Sequence, residues 1–275
     1  FRKPASMTTS SPVSSETSNL QIERVRHPFA ARHMQLMSRE IVSPGFVRIT
    51  LGGADLANFN SAGFDDHVKL LLPAVGQEKP LLPSFVDGRP NFGEGERPTA
   101  RDFTPVHWDH GKGTMVLEFA MHEAGPAAQW AGNAQIGQWV GIAGPRGSMV
   151  VPKAFEWHWL FGDASALPAI ERRLSELPAE ARVTVRVQLD HAADKRALQS
   201  AAQVDLHWVD SPETAAETLA IPEGDGFIWA AGEQNYMAQL RRTFLAKPGV
   251  NAKRMRVAAY WKRGEVAHHE ELNEG

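Results

Sequence analysis

Apolar and polar positions alternate in short runs through the first half of the chain. Such runs are typical of β-strands that bury one face. The predicted strands are 46–51, 67–72, 114–119 and 138–142. Residues 80–100 predict a long loop, because they are rich in Gly, Pro and charge and have little periodicity. With Gly- and Pro-rich turns between the runs, this half predicts an antiparallel barrel or sandwich.

Strand-like and helix-like segments alternate in the second half of the chain. The predicted strands are 158–161, 183–189, 204–209, 227–231 and 254–261. Helical spacing predicts two helices, over 166–177 and 235–245. Because alternating strands and helices favour parallel pairing, this half predicts a doubly wound parallel sheet. The fold class is therefore a β-barrel followed by an α/β domain that resembles nucleotide-binding domains.

The change in sequence pattern along the chain predicts three structural regions. Residues 1–30 are expected to be a flexible leader, because the first nineteen residues are dominated by Ser and Thr and cannot bury a core. Residues 31–153 are expected to form the barrel domain, and residues 154–275 the α/β domain.

Composition narrows the classes of function. The 29 Lys and Arg residues nearly balance the 32 Asp and Glu residues, which argues against nucleic acid or a polybasic membrane surface as partner. The sequence contains no Cys, which excludes a cysteine nucleophile, a thiolate zinc site and a Cys-ligated iron–sulfur cluster on this chain. Any electron transfer would therefore need a bound organic cofactor. Without an apolar run long enough to insert into a membrane, a cytoplasmic location is expected.

The first candidate functional cluster consists of Arg101, Phe103 and Thr104. In a strand, Arg101 and Phe103 share one face and Thr104 points to the other. An Arg, an aromatic plane and a hydroxyl can together hold a pyrophosphate, cover a flat ring and reach a ring nitrogen. The alternative is an ordinary strand with one surface charge and one core Phe.

A second cluster follows at residues 122–131. Gly125 and Pro126 stand before a run of helix formers, which is typical of a helix N-terminus with Pro in the first turn. The unpaired N–H groups there can bind an anion. The alternative is a short connecting helix.

The order and spacing of these clusters resemble the siderophore-interacting protein family, flavin-dependent ferric-siderophore reductases related to the ferredoxin reductase superfamily. The resemblance covers roughly residues 32–264. The segments that carry it are Asp66–Leu70, Arg101–Thr104, Gly125–Ala131, Gly144–Ser148, Gly162–Ile170 and Trp229–Glu233.

The resemblance implies FAD as cofactor and assigns roles around it. Arg101 would contact the pyrophosphate, Phe103 would lie against the isoalloxazine, and Thr104 would hydrogen-bond near the reactive ring nitrogen. The residues implied around the phosphates are His122, Gly125, Pro126, Ala127, Ala128 and Trp130. The family usually has Tyr where Phe103 stands, so stacking is retained and a phenol hydrogen bond is lost.

The segment from Gly162 marks the expected electron-donor site. A strand enters a helix there, and Asp163 or Ser165 can cap that helix. An unoccupied strand–helix junction is the alternative to a nicotinamide dinucleotide site, since the Gly-rich fingerprint is absent. Asp190 suits a ribose 2′-hydroxyl, whereas Lys195 and Arg196 suit a 2′-phosphate, so NADH and NADPH both stay open.

His67, Lys69 and Arg146 are the candidate substrate residues. His67 and Lys69 alternate with apolar residues and therefore share one strand face. Arg146 stands in a Pro-Gly turn. By the resemblance, these basic residues would meet an anionic ferric siderophore.

The expected activity is FAD-dependent reduction of a ferric siderophore, which releases iron(II) for assimilation. NADH or NADPH, or alternatively reduced ferredoxin, would supply the electrons. No residue is expected to act as an essential acid, base or nucleophile, and no resident metal is expected. The rivals are a general NAD(P)H:flavin or ferredoxin oxidoreductase and a non-catalytic protein that binds ferric siderophore or flavin.

Overall fold

Two sheets organise the chain. The structure, a computed structural model, describes residues 20–86, 89–121, 125–264 and 270–271. The strands are β1 (Glu23–Arg26), β2 (Ala31–Ser43), β3 (Phe46–Gly52), β4 (Val68–Leu72), β5 (Ser84–Val86), β6 (Arg89–Asn91), β7 (Thr99–Phe103), β8 (Pro105–Asp109), β9 (Thr114–Ala120), β10 (Trp139–Ala143), β11 (Gly147–Val150), β12 (Trp157–Gly162), β13 (Arg182–Val187), β14 (Gln203–Trp208), β15 (Gly226–Glu233), β16 (Met255–Trp261) and β17 (Glu270–Glu271). The α-helices are α1 (Pro126–Asn133), α2 (Leu167–Glu176), α3 (Pro212–Thr218) and α4 (Gln234–Leu245).

The first sheet is antiparallel and closes into a barrel. Its seven strands lie in the order β7-β4-β10-β2-β3-β9-β8. β7 and β8 occupy opposite edges of this sheet, although only Thr104 separates them along the chain. Two edge strands joined by a single residue must lie side by side, because one residue spans less than about 4 Å. The sheet is therefore rolled up, with its seam at Thr104, which confirms the predicted barrel.

The four strands predicted in the first half are all present, but two segments differ from expectation. The predicted loop at 80–100 contains β5 paired with β6, and β7 begins within it. The predicted leader is too long at its carboxyl end, because β1 pairs antiparallel with β11. Leu20 and Ile22 pack against the core there, and this apolar contact supports order just ahead of β1.

The second sheet has five parallel strands in the order β14-β13-β12-β15-β16, and β17 is antiparallel at its edge. Helices cover both of its faces. On one face, Leu160 of β12 packs with Leu167 and Ile170 of α2, and on the other Trp159 of β12 packs with Phe244 of α4. The doubly wound parallel sheet is thereby confirmed. Limits of 31–153 and 154–275 for the two domains stay predictions.

A buried ion cluster joins the barrel to α2. Glu118 on β9, whose side chain is fully buried, accepts hydrogen bonds from Arg48 and Arg196. Arg196 also pairs with Glu171 of α2 at 2.6 Å. Burial raises the pKa of Glu171, and the charge of Glu118 raises it further. Arg48 and Arg196 offset this repulsion, so the cluster ties the two sheets together.

The burial of His158 predicts that the stability of the folded chain depends on pH. It is fully buried in β12, and burial, followed by the positive charge of Arg173, lowers its pKa from 6.5 to about 3. The unfolded chain therefore binds a proton below about pH 6.5 that the folded chain refuses, so stability falls as pH decreases between these values. The slope approaches about 1.4 kcal/mol per pH unit.

Chemical unfolding between pH 7 and 4 tests this expectation with His158→Leu. The variant should show a shallower loss of stability than the wild type, while His107→Leu, which changes an exposed histidine, should keep the wild-type slope. Equal slopes for wild type and His158→Leu would contradict the assignment.

Candidate functional site

The predicted Arg101 cluster lies at the barrel seam. Arg101 donates from Nη1 to the carbonyl of Ala100 at 2.6 Å, and within the described ranges it has no carboxylate partner. Its charge is therefore available to an anionic ligand. The half-buried ring of Phe103 packs on Phe119, with their centroids 4.2 Å apart.

The predicted helix start lies beside this seam. α1 begins at Pro126, its N-cap residue Gly125 makes no side-chain capping bond, and its first turn contains no acidic residue. A Cβ atom at Gly125 would meet nothing within 4 Å, so space is open in front of the helix. Trp130 of α1 reaches Phe119 at a centroid distance of 5.9 Å, which places the helix against the same aromatic group as Phe103.

These features fit a flavin dinucleotide. The Arg101 guanidinium, which has no carboxylate partner among the described residues, and the uncapped helix N-terminus both attract phosphate oxygens. The partly exposed ring of Phe103 presents an apolar plane. Ala127 is buried and Pro126 and Ala128 are half-buried in the first turn of the helix, and His122 lies outside the described residues. Contact of any of these residues with FAD stays a prediction.

Thr104 connects the seam to the second sheet. It is 7% exposed and lies close to Tyr260 on β16. Tyr260 in turn donates to Asp65, which also accepts from Nε of Arg256. Burial alone raises the pKa of Asp65, but the charge of Arg256 and the hydrogen bonds outweigh it and lower that pKa. Asp65 is thus an ionised carboxylate held between the barrel and the parallel sheet.

The next residue, Asp66, anchors the same segment on its other side. Its Oδ2 accepts hydrogen bonds from the hydroxyls of Ser61 and Ser148 and from the amide of Gly63. Burial raises the pKa of Asp66 despite these bonds. Two adjacent carboxylates therefore fix the chain just before His67.

The candidate substrate residues lie where β4 meets β10. Lys69 is the antiparallel partner of Ala143, so the chain beyond β10 runs back past His67 towards Arg146. Beyond Ala143 the chain turns at Gly144, where φ is +91°, and Arg146 stands directly before β11. Both side chains are exposed, and Arg146 covers the ring of Phe29.

Lys69 has an acidic neighbour that sequence reasoning did not consider. Its Nζ lies 2.8 Å from Oδ1 of Asp102, the residue directly across from it on β7. The pair is exposed on the lysine side, so a ligand can reach Lys69 but competes with Asp102. The sequence shows Asp102 between Arg101 and Phe103. It does not show the strand register that places Asp102 beside Lys69.

The predicted donor site is a cavity at the carboxyl ends of the parallel strands, with a volume of about 300 Å³. Its lining residues are Asp163, Ala164, Gln188, Asp190, Tyr236, Trp261 and Arg263. In open α/β sheets, ligands bind at this end, where the strand order reverses beside the first strand. β12 is that strand here, with β13 on one side and β15 on the other.

Asp163 has a structural role in this cavity. Its Oδ1 accepts from the amide and the hydroxyl of Ser165, and its Oδ2 accepts from the amide of Glu233 and from Nε1 of Trp261. A Cβ atom at Gly232 would lie 2.5 Å from this carboxylate, and φ is +154° there, so glycine suits the position. Asp163 thus ties β12, β15 and β16 together. Direct contact of Asp163 and Ser165 with a cofactor stays a prediction.

The basic residues after Asp190 are placed differently. Arg196 is bound in the ion cluster with Glu118 and Glu171, so it is not free to hold a 2′-phosphate as the sequence suggested. Lys195 is exposed. Arg263, which sequence reasoning did not assign to this site, supplies a cation to the cavity lining.

His107 and Asp109 lie close in sequence but have separate structural settings. His107 is exposed, and Asp109 caps the following turn by accepting from the amide of Lys112 at 3.0 Å. Across the described ranges, no three metal-ligating side chains converge in a suitable group. Within the same ranges, no helix has the length and apolar character needed to cross a membrane.

Comparisons with known proteins identify related sequences and structures. Residues 35–149 match the family model of the siderophore-interacting FAD-binding domain, and residues 155–264 match that of the siderophore-interacting protein. The NADPH-dependent ferric-chelate reductase of Escherichia coli K12 is 35% identical over 246 residues, which are 87% of this chain and 96% of that protein. Ferric vibriobactin reductase ViuB of Vibrio cholerae is 29% identical over 264 residues, or 91% of this chain and 96% of that protein. The crystal structure of a siderophore utilization protein from T. fusca superposes with a TM-score of 0.82 at 29% identity, covering 90% of this chain and 98% of that one.

Proposed function

Because this chain belongs to the siderophore-interacting protein family, we propose that it is an FAD-dependent reductase that releases iron(II) from ferric siderophores. The observation that carries the proposal is the convergence of Arg101, Phe103 and the start of α1 at the barrel seam. This combination of cation, aromatic plane and helix N-terminus supports FAD as the cofactor.

The protein would provide binding, orientation and charge, and the cofactor would carry the electrons. When bound, FAD would supply the chemistry that links a two-electron donor to one-electron reduction of iron(III). Arg101 and the α1 amides would hold the pyrophosphate, and Phe103 would lie against the isoalloxazine ring system. Siderophore oxygen donors hold iron(II) less well than iron(III), so reduction loosens the metal.

NADPH is the proposed donor. The 35% identical relative is named for this donor, and this chain has a cavity at the carboxyl ends of its parallel strands. Arg263 would attract phosphate, and Asp190 would face the ribose. Reduced ferredoxin is the alternative donor. Since NADPH is a cytoplasmic reductant, we place the reaction in the cytoplasm.

The identity of the bound cofactor tests whether the protein uses FAD. The purified chain should show flavin absorbance, and chromatography of the released cofactor should recover FAD. Recovery of FMN alone, or failure of the refolded chain to bind added FAD, would contradict it.

His67, Lys69 and Arg146 would bind the anionic ferric siderophore. Exposed single contacts contribute only about 0.2 to 1 kcal/mol, so Lys69→Ala and Arg146→Ala should each raise the apparent KM by up to about fivefold. The double variant should raise the apparent KM by the product of the two effects, as expected for two independent contacts. Iron(II) release against ferric-siderophore concentration measures this. Unchanged KM in all three variants with normal FAD content would contradict the assignment.

Replacing Asp102 is expected to change the apparent KM in the opposite direction. Because it pairs with Lys69 at 2.8 Å, Asp102→Asn should release Lys69 and lower the apparent KM for an anionic ferric siderophore by up to about fivefold. The same change in a Lys69→Ala background should have a smaller effect. A higher KM in Asp102→Asn would show that Lys69 is not a substrate contact.

A further inference from the structure

Carboxylates already occupy two helix starts at the carboxyl edge of the parallel sheet. In dinucleotide-binding sheets, the pyrophosphate commonly binds the free amides of such a helix start. Here Oδ1 of Asp163 accepts from the amide of Ser165 just before α2. At the start of α4, Oε2 of Glu233 accepts from the amides of Asn235 and Tyr236. A phosphate group would therefore meet a negative charge at both places.

Arg263 supplies the positive charge of the cavity at this edge. The other described residues that line the cavity are neutral or acidic. The backbone amide of Arg263 lies 3.4 Å from Oε1 of Glu233, which places Arg263 beside the capped start of α4. A pyrophosphate in the cavity would therefore have Arg263 as its counter-charge among these residues. NADH and NADPH both carry a pyrophosphate, so this contact does not distinguish between them.

Asp190 lines the same cavity from the opposite side. It follows β13, whereas Arg263 follows β16, and β12 and β15 lie between these two strands. β13 is the second strand of the parallel sheet in chain order, and an acidic residue beyond that strand typically binds the adenosine ribose 2′-hydroxyl of NADH. Asp190 is exposed there and has no ion-pair partner among the described residues. Its carboxylate can accept from a hydroxyl and would repel a phosphate.

The basic residues that follow Asp190 do not offset its charge in the cavity. Arg196 pairs with Glu171 at 2.6 Å and with Glu118 in the buried ion cluster. Lys195 is exposed and is not among the described residues that line the cavity. A 2′-phosphate beside Asp190 would therefore meet a carboxylate with no compensating cation among the described lining residues on that side.

We propose that Asp190 determines the donor specificity of this chain, so that NADH is accepted as well as NADPH. This inference rests on the proposed function, which assigns the cavity to a nicotinamide dinucleotide. Arg263 binds the pyrophosphate that both donors share. Asp190 accepts a hydrogen bond from the 2′-hydroxyl of the adenosine ribose, which NADPH replaces with a phosphate.

Binding of two redox-inert fragments to the FAD-loaded chain tests this inference by calorimetry. ADP-ribose carries the 2′-hydroxyl, and 2′-phospho-ADP-ribose carries the phosphate in its place. The wild-type chain should bind ADP-ribose at least as tightly as the phosphorylated fragment. Asp190→Asn should weaken ADP-ribose and tighten 2′-phospho-ADP-ribose, each by up to about fivefold, as expected for a single exposed charge. Asp210→Asn changes an exposed aspartate outside the described cavity lining and should alter neither constant.

Variants of the basic residues show which phosphate each of them contacts. Arg263→Ala should weaken both fragments by the same factor, because both contain the pyrophosphate, and Lys195→Ala should change neither. Loss of 2′-phospho-ADP-ribose binding alone in either variant, or an unchanged ratio of the two constants in Asp190→Asn, would overturn the inference. Anaerobic bleaching of the bound FAD by NADPH but not by NADH would also overturn it. An FAD-loaded chain that binds neither fragment would overturn the dinucleotide donor of the proposed function together with this inference.

Discussion

Replacing Arg256 with Met is expected to lower the free energy of unfolding by about 3 to 5 kcal/mol. The side chains of Arg256 and Asp65 are only 7% and 3% exposed. Removing the guanidinium would leave the Asp65 carboxylate buried beside Tyr260 without its main counter-charge. Met retains most of the side-chain volume, so the expected loss comes from charge rather than from a cavity.

Denaturant unfolding followed by tryptophan fluorescence measures this loss. The double variant Asp65→Asn, Arg256→Met should recover much of the stability, because it removes both charges together. Lys112→Met, which breaks an exposed pair with Asp109, is the matched control and should cost less than about 1 kcal/mol. A loss below about 1 kcal/mol in Arg256→Met would show that the buried pair does not hold the two sheets together.

Replacing Arg101 with Ala is expected to weaken FAD binding by about 10- to 100-fold. A charge-assisted hydrogen bond contributes about 1.5 to 3 kcal/mol, and Arg101 has no carboxylate partner among the described residues that would take part of this energy. Arg101→Lys should be intermediate, since an ammonium group keeps the charge and loses the two-pronged geometry.

Titration of the apoprotein with FAD, followed by flavin fluorescence, gives the dissociation constants. Arg97→Ala removes a nearby exposed arginine and should bind FAD like the wild type. Equal affinity in Arg101→Ala and Arg97→Ala would remove Arg101 from the cofactor site.

Local patterns were enough to predict most of the elements. The apolar alternation at 46–51 and 114–119 became β3 and β9, and the two predicted helices became α2 and α4. These segments were predictable because each buries one regular face. α3 was missed, since only Pro212 and Ala216 of its short sequence are buried.

The candidate site was predictable only in part, because its partners come from distant segments. Arg101, Phe103 and Gly125 could be recognised as short motifs. Asp65 and Arg256 could not be paired, since 191 residues separate them and the parallel sheet brings them together. The pairing of Lys69 with Asp102 likewise follows from strand register, which a single sequence does not specify.

Anaerobic reduction followed by iron(II) release tests the central claim most directly. The FAD-loaded chain is bleached with NADPH, freed of excess donor, and mixed with a ferric siderophore in the presence of an iron(II) chelator. We expect the flavin absorbance to return as two iron(II) ions appear for each FAD, because FAD delivers two electrons and each iron(III) takes one. Bleached flavin that stays reduced while no iron(II) appears would contradict a ferric-siderophore reductase, even in a chain that binds both FAD and the siderophore.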